Sequence, residues 1–228
     1  MFLSLFLFTL ATLLLFLSSQ SLLKNLIRIF KKLTKKDSTT ANLIFFILLP
    51  GVLIHELSHL IMAQFLQVQT GELSLKPSLE DNHLKLGSAQ IALTDPFRLT
   101  LIGSAPFITG TAILWLLLTL GLSINFQAPL SLNLTQISSL PLLPLFLSAY
   151  FLFAISNTMF SSTSDLQAAI VPIIFTLIIF GIFYLLKLNL PLALTQSLSQ
   201  GFTLISLIFF STLAINLIIL LPLKLINR

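Results

Sequence analysis

The chain has 228 residues, of which 56% are hydrophobic and only 8% charged, with a mean hydropathy of +1.04. Polar residues this sparse exclude an ordinary soluble domain, and the absence of cysteine excludes disulfides, iron–sulfur clusters and thiolate zinc sites. The net charge of +5 is concentrated, because six of the twelve Lys and Arg lie between Lys24 and Lys36.

Six apolar segments approach or reach the length that crosses a bilayer, at roughly 1–17, 41–66, 97–122, 141–157, 165–186 and 201–221. They predict an all-α polytopic membrane protein with about six transmembrane helices and a small β-like insertion after the second. A transmembrane β-barrel would show short alternating segments instead. The first segment lacks a basic start and a small-x-small cleavage site, so it reads as a retained helix rather than a signal peptide.

The basic stretch follows. On a helical wheel Lys24, Arg28, Lys31, Lys32, Lys35 and Lys36 share one face, and Leu22, Leu23, Leu26, Phe30 and Leu33 share the other. That pattern fits an interfacial helix lying on anionic lipid. It fits equally a charge cluster that only sets orientation. With no aromatic interleaving beyond Phe30, nucleic acid is not an expected partner.

Residues 67–96 form the next polar stretch. Leu73 and Leu75, Leu84 and Leu86, and Ile91 and Leu93 alternate with polar neighbours, between Gly71, Pro77, Gly87 and Pro96. Period-two alternation between such breakers predicts short strands, and an irregular loop is the competing expectation. The third apolar segment carries Gly103, Ser104, Ala105, Pro106 and Gly110, small residues that read as helix packing. Residues 123–140 hold no charge and predict a loop close to the membrane. The expected division is an N-terminal helix with its basic stretch (1–40), a core (41–187) and a C-terminal helix (188–228). Alternating spans put the basic stretch on one side of the membrane, and residues 67–96 with Lys224 and Arg228 on the other. The resulting balance of Lys and Arg leaves orientation open.

The second segment contains His55-Glu56-Leu57-Ser58-His59, an H-E-x-x-H inside an apolar helix. Histidines four apart lie one turn above another, so both imidazoles can reach one metal ion. Glu56, beside the first, is placed to take a proton from water. Ionisable residues at such depth ordinarily line a site or a wet cavity. The competing structural reading is polar glue between helices.

A catalytic zinc needs a third protein ligand. Glu72, Glu80, Asp81, His83 and Asp95 lie in the polar linker, and Asp165 is the only acid after Asp95. Asp165 follows a polar break at 157–164, where a helix N-cap is its ordinary role and a metal ligand its alternative.

An intramembrane H-E-x-x-H, followed by Asn157 and then by Asp165 eight residues later, resembles the site-2 protease family of intramembrane zinc metalloproteases. The resemblance covers roughly residues 41–175. The chain departs from the family pattern at Ser58, Phe160 and Leu166, where Gly, Pro and Gly are usual. The family implies Zn2+ held by His55, His59 and Asp165, with Glu56 as general base and acid. It implies that Asn157 binds substrate or the developing oxyanion, beside its plainer role of satisfying backbone at a helix break. The implied substrate is a transmembrane segment of another protein, unwound before cleavage. An edge strand within 67–96 is expected to hold that segment by strand addition. A CAAX-type protease would need a Glu ligand on a later helix, and none is present. The alternative from another class is a scaffold or pseudoprotease that binds transmembrane helices.

Overall fold

The computed structural model describes residues 2–80, 83–117, 142–160 and 191–226, together with 174, 178, 181–183 and 185. These are mostly helical, with two small sheets. The elements are α1 (Phe2–Thr34), α2 (Asp37–Phe65), β1 (Thr70–Ser74), β2 (Ser78–Glu80), β3 (His83–Lys85), β4 (Ser88–Ile91), α3 (Pro96–Leu116), α4 (Leu142–Thr158) and α5 (Leu192–Ile226). Among the described residues four helices, α1, α2, α3 and α5, are long and apolar enough to cross a membrane, and α4 is a shorter apolar helix. The predicted loop 123–140 and most of the predicted segment 165–186 lie outside the described residues.

Residues 2–23 carry no charge and, as a helix, measure about 33 Å, close to the hydrocarbon thickness. The helix does not stop there. No Gly or Pro interrupts the sequence before Thr34, so α1 continues unbroken through the basic stretch. The separate interfacial helix expected from the wheel is therefore an extension of a membrane-length helix. Most of its apolar side is occupied by protein, and Leu33 at its end is exposed. Leu22, Leu23, Leu26 and Ile27 are buried in one cluster with Ala41, Ile44, Phe45 and Leu48 of α2 and Leu220 of α5. All six cations remain exposed. Lys31 reaches Asp37 at the start of α2, at 2.9 Å.

Two helix ends use a left-handed residue that is not glycine. Lys35 takes φ 56° and its N–H bonds the Lys31 carbonyl at 3.0 Å. At the far end of α2, Gln67 takes φ 57°, Gln67 N–H bonds Gln64 and Val68 N–H bonds Ala63. That is a Schellman closure, and its usual apolar contact is present because Val68 packs on Ala63 and Ile102.

Helices α1 and α5 run parallel. Ser4 meets Ser199 near their starts, Phe8 meets Phe202, and Asn216 donates to Ser18 further along. Lys224 therefore lies towards the same end of the molecule as the basic stretch, not opposite it. Six spans alternating in direction would have made the first and last helices antiparallel.

The strands expected in 67–96 are present with shifted bounds. Leu75 and Leu86 fall outside them, as does Leu93, which is fully exposed. β1 pairs with β4 and β2 with β3, both antiparallel, with Leu73 opposite Ala89 and Leu79 opposite Leu84. The two ladders are consecutive parts of one interrupted hairpin. It is about 35 Å long at the rise of an extended strand. Leu79 and Leu86 are buried in the same cluster as Leu22, Ile44 and Leu48. The hairpin thus leaves the end of α2 and folds back along that helix towards its start. Glu72, Lys76, Lys85 and Gln90 stay exposed while the leucines turn inward, which is the alternation read from the sequence.

Asp95 caps α3, accepting from Phe97 N–H at 3.1 Å and Arg98 N–H at 3.0 Å, and Pro96 occupies the first helical position. The hydrogen bond from the Arg98 backbone holds the Asp95 carboxyl below the usual aspartate range.

Candidate metal centre

The site is built on the middle of α2, where three helices converge. Gly51 lies one turn before His55, and a Cβ there would collide with the Ala154 carbonyl and the Thr158 hydroxyl of α4. Only glycine permits that approach. On the α3 side, the Ser58 hydroxyl lies against that of Thr109, while Ser58 donates within α2 to the Ile54 carbonyl at 2.5 Å and Thr109 within α3 to the Ala105 carbonyl at 2.8 Å. A small residue at 58 thus lets the two helices approach closely, hydroxyl against hydroxyl.

His55, Glu56 and His59 retain 4%, 7% and 8% exposure. Ordinary solvated positions on a helix would be open to water, so these three form an interior group. The imidazole Nε2 atoms of His55 and His59 lie 3.2 Å apart. Two nitrogen ligands of a tetrahedral zinc, each at roughly 2.05 Å, would be separated by about 3.3 Å. The pair has the spacing of two ligands to one ion.

His59 Nδ1 lies 2.9 Å from the carbonyl oxygen of Ile102 on α3. A carbonyl can only accept, so Nδ1 carries the proton and Nε2 presents its lone pair towards His55. Ligating histidines are commonly oriented in this way by the hydrogen bond at their other nitrogen.

The hairpin closes the group from the side. A Cβ built on Gly87 would lie 3.0 Å from a Glu56 carboxylate oxygen, 3.1 Å from its Cγ and 3.2 Å from the Ser74 carbonyl. Gly87 and Ser74 therefore bring hairpin backbone directly against the carboxylate. They sit where the β1–β4 ladder gives way to the β2–β3 ladder.

Asp165, the expected third ligand, lies outside the described residues. Among the described residues no cluster of three His, Asp or Glu side chains is placed to hold one ion. Of the linker candidates, Asp95 caps α3 and pairs with Arg98 at 3.4 Å, and Glu72 and His83 are exposed on the hairpin.

Asn157 is fully buried and its amide is fully used. It donates to the Phe153 carbonyl and to Asn216 Oδ1, both at 2.8 Å, and accepts from Asn216 Nδ2 at 3.1 Å. Asn216 also donates to Ser18 at 3.2 Å. The structure places Asn157 in a knot between α4, α5 and α1.

Sequence reading missed Asn216, although a lone amide in the apolar run 207–221 was a visible signal. It also missed Ile102 and Gly87. Their contributions are a carbonyl and an absent side chain, which residue type alone does not announce. Comparison of the chain with protein-family models, curated proteins and solved structures finds no match.

Proposed function

We propose that the protein is an intramembrane zinc metalloprotease that cleaves transmembrane segments of other proteins. One observation carries the reading. Two buried histidines stand at the separation of two zinc ligands, one is held in the ligating tautomer, and Glu56, next in the sequence to His55, is buried as well. His55 and His59 would hold the ion together with Asp165. Zinc there supplies Lewis acidity that polarises a peptide carbonyl and activates water near neutral pH.

Glu56 accepts the proton of the attacking water and returns it to the leaving amine. Hairpin backbone at Gly87 and Ser74 excludes bulk water on one side of the carboxylate. Non-helical backbone at membrane depth is tolerated only where it is buried in protein or lines a wet cavity. A hairpin lying along α2 therefore supports a polar pocket around Glu56. A helical substrate hides its amides, so it must unwind, and each strand of the β1–β4 ladder has one outer edge that can receive an extended segment. Cleavage that survives Leu73→Pro would overturn strand addition. The exposed cations of α1 support contact with anionic lipid headgroups. Asn157 is read as helix glue rather than as a substrate ligand, since its donors and acceptor are engaged.

The deciding experiment is zinc content of detergent-purified wild type beside His55→Ala, Glu56→Gln and Asp165→Ala. The expected result is one zinc per chain, kept in Glu56→Gln and lost in the other two. Wild type that takes up no zinc under non-chelating conditions removes the protease reading. A scaffold that binds transmembrane helices would then be the better account.

A further inference from the structure

The carbonyl that His59 bonds lies one helical turn before a proline. In an α-helix the carbonyl of residue i accepts from the N–H of residue i+4. For Ile102 the i+4 residue is Pro106, which has no N–H to give. Pro106 lies inside α3, ten residues beyond its start, and it is buried. An interior proline is unfavourable in a helix, and the usual outcome is a kink or a carbonyl left to find another donor. Here the released carbonyl has found one, the Nδ1–H of His59, at 2.9 Å. Ile102 is 1% exposed and His59 is 8% exposed, so water does not compete for either group.

We propose that Pro106 is a positioning residue for the site. By withholding an N–H from the Ile102 carbonyl, it keeps that oxygen available to His59 and fixes the ring with its proton on Nδ1 and its lone pair on Nε2. A residue with an N–H at position 106 offers Ile102 an intrahelical donor that competes with His59. The ring is then free to turn or to exchange tautomers. Part of this inference rests on the metal reading, since a fixed Nε2 lone pair matters most to an ion. The tautomer itself does not depend on that reading.

The test uses the full chain in detergent or nanodiscs, with Pro106→Ala and Pro106→Val as variants. Nitrogen-15 spectra of the histidines in metal-free wild type should show His59 as the Nδ1–H tautomer. In Pro106→Ala the two tautomers should mix. Zinc affinity, measured by competition with a chelator, should fall roughly 10–100-fold, the usual loss when a group that orients a ligand is removed. The unfolding temperature should not fall with it, because alanine is a far better helix former than proline. A purely structural proline predicts the reverse, lower stability with zinc affinity and tautomer unchanged. Wild-type His59 protonated on Nε2 overturns the proposal without any variant. Unchanged affinity and an unchanged tautomer in a folded Pro106→Ala or Pro106→Val overturn it as well. Wild type that binds no zinc but shows the fixed tautomer, lost in the variants, defeats the protease reading and leaves this inference standing.

Discussion

Two polar groups interrupt the apolar interior, and they are built on opposite logic. Asn157, Asn216 and Ser18 form a closed set across α4, α5 and α1, in which each amide both donates to and accepts from the other. His55, Glu56 and His59 are arranged to face inward together. A ring nitrogen of His59 is tied to a backbone carbonyl, and the Nε2 atoms of the two histidines are turned upon each other. Three buried ionisable groups on one stretch of helix are an expensive way to join helices, when an amide pair does so without charge. The first set satisfies itself. The second puts two facing imidazoles and a carboxylate into an apolar interior, and the metal reading rests on this difference.

The largest effect should come from Glu56→Gln. Removing a general base while leaving both imidazoles should lower cleavage by roughly 10²–10⁴-fold with zinc retained. Cleavage at the wild-type rate would make the carboxylate a packing group and erase the contrast with the amide knot. The mirror experiment is Asn216→Leu. It strands the Asn157 carbonyl oxygen and one N–H in the interior, and stability should fall by about 1–2 kcal/mol while zinc stoichiometry is kept. The double variant Asn157→Leu/Asn216→Leu should recover part of that loss, because neither amide is then left alone. Zinc loss in Asn216→Leu would show instead that the two groups act as one.

A smaller effect is expected from Gly87→Ala. The added methyl meets the Glu56 carboxylate and the Ser74 carbonyl at 3.0 Å and 3.2 Å, so the hairpin must shift by a few tenths of an ångström. Cleavage should fall several-fold with zinc and thermal stability nearly unchanged, as measured by turnover of a transmembrane peptide. An unaffected rate would mean that the hairpin can retreat from Glu56 without consequence. The smallest effect lies outside both groups. Asp95 has a lowered folded-state pKa, so its contribution to stability is present above the ordinary aspartate range and fades as pH falls through the lowered value. Asp95→Asn should remove that acid dependence from thermal unfolding curves and leave zinc content untouched.

Much of the α2 site was legible because its signal is local. His55 and His59 are four apart on one helix, so their shared face follows from helical geometry alone. The strands were legible through alternation, but their bounds were not, since pairing partners decide where a ladder begins and ends. In the basic stretch the wheel showed two faces but not what covers the apolar one. Of its predicted apolar face, Leu22, Leu23 and Leu26 are covered by α2 and α5, and Leu33 at its end is exposed.

Composition alone therefore determined long apolar helices of membrane-crossing length, and a five-residue motif determined where chemistry would be sought. Periodicity and charge are properties of a segment, and a segment carries them before it folds. The tertiary structure decided everything that needs two distant segments at once. It made α1 and α5 parallel, pressed the hairpin on Glu56, matched Asn157 to Asn216 and gave His59 the carbonyl of Ile102. Those outcomes depend on which face meets which, and that is settled only when buried donors and acceptors from different helices must find one another.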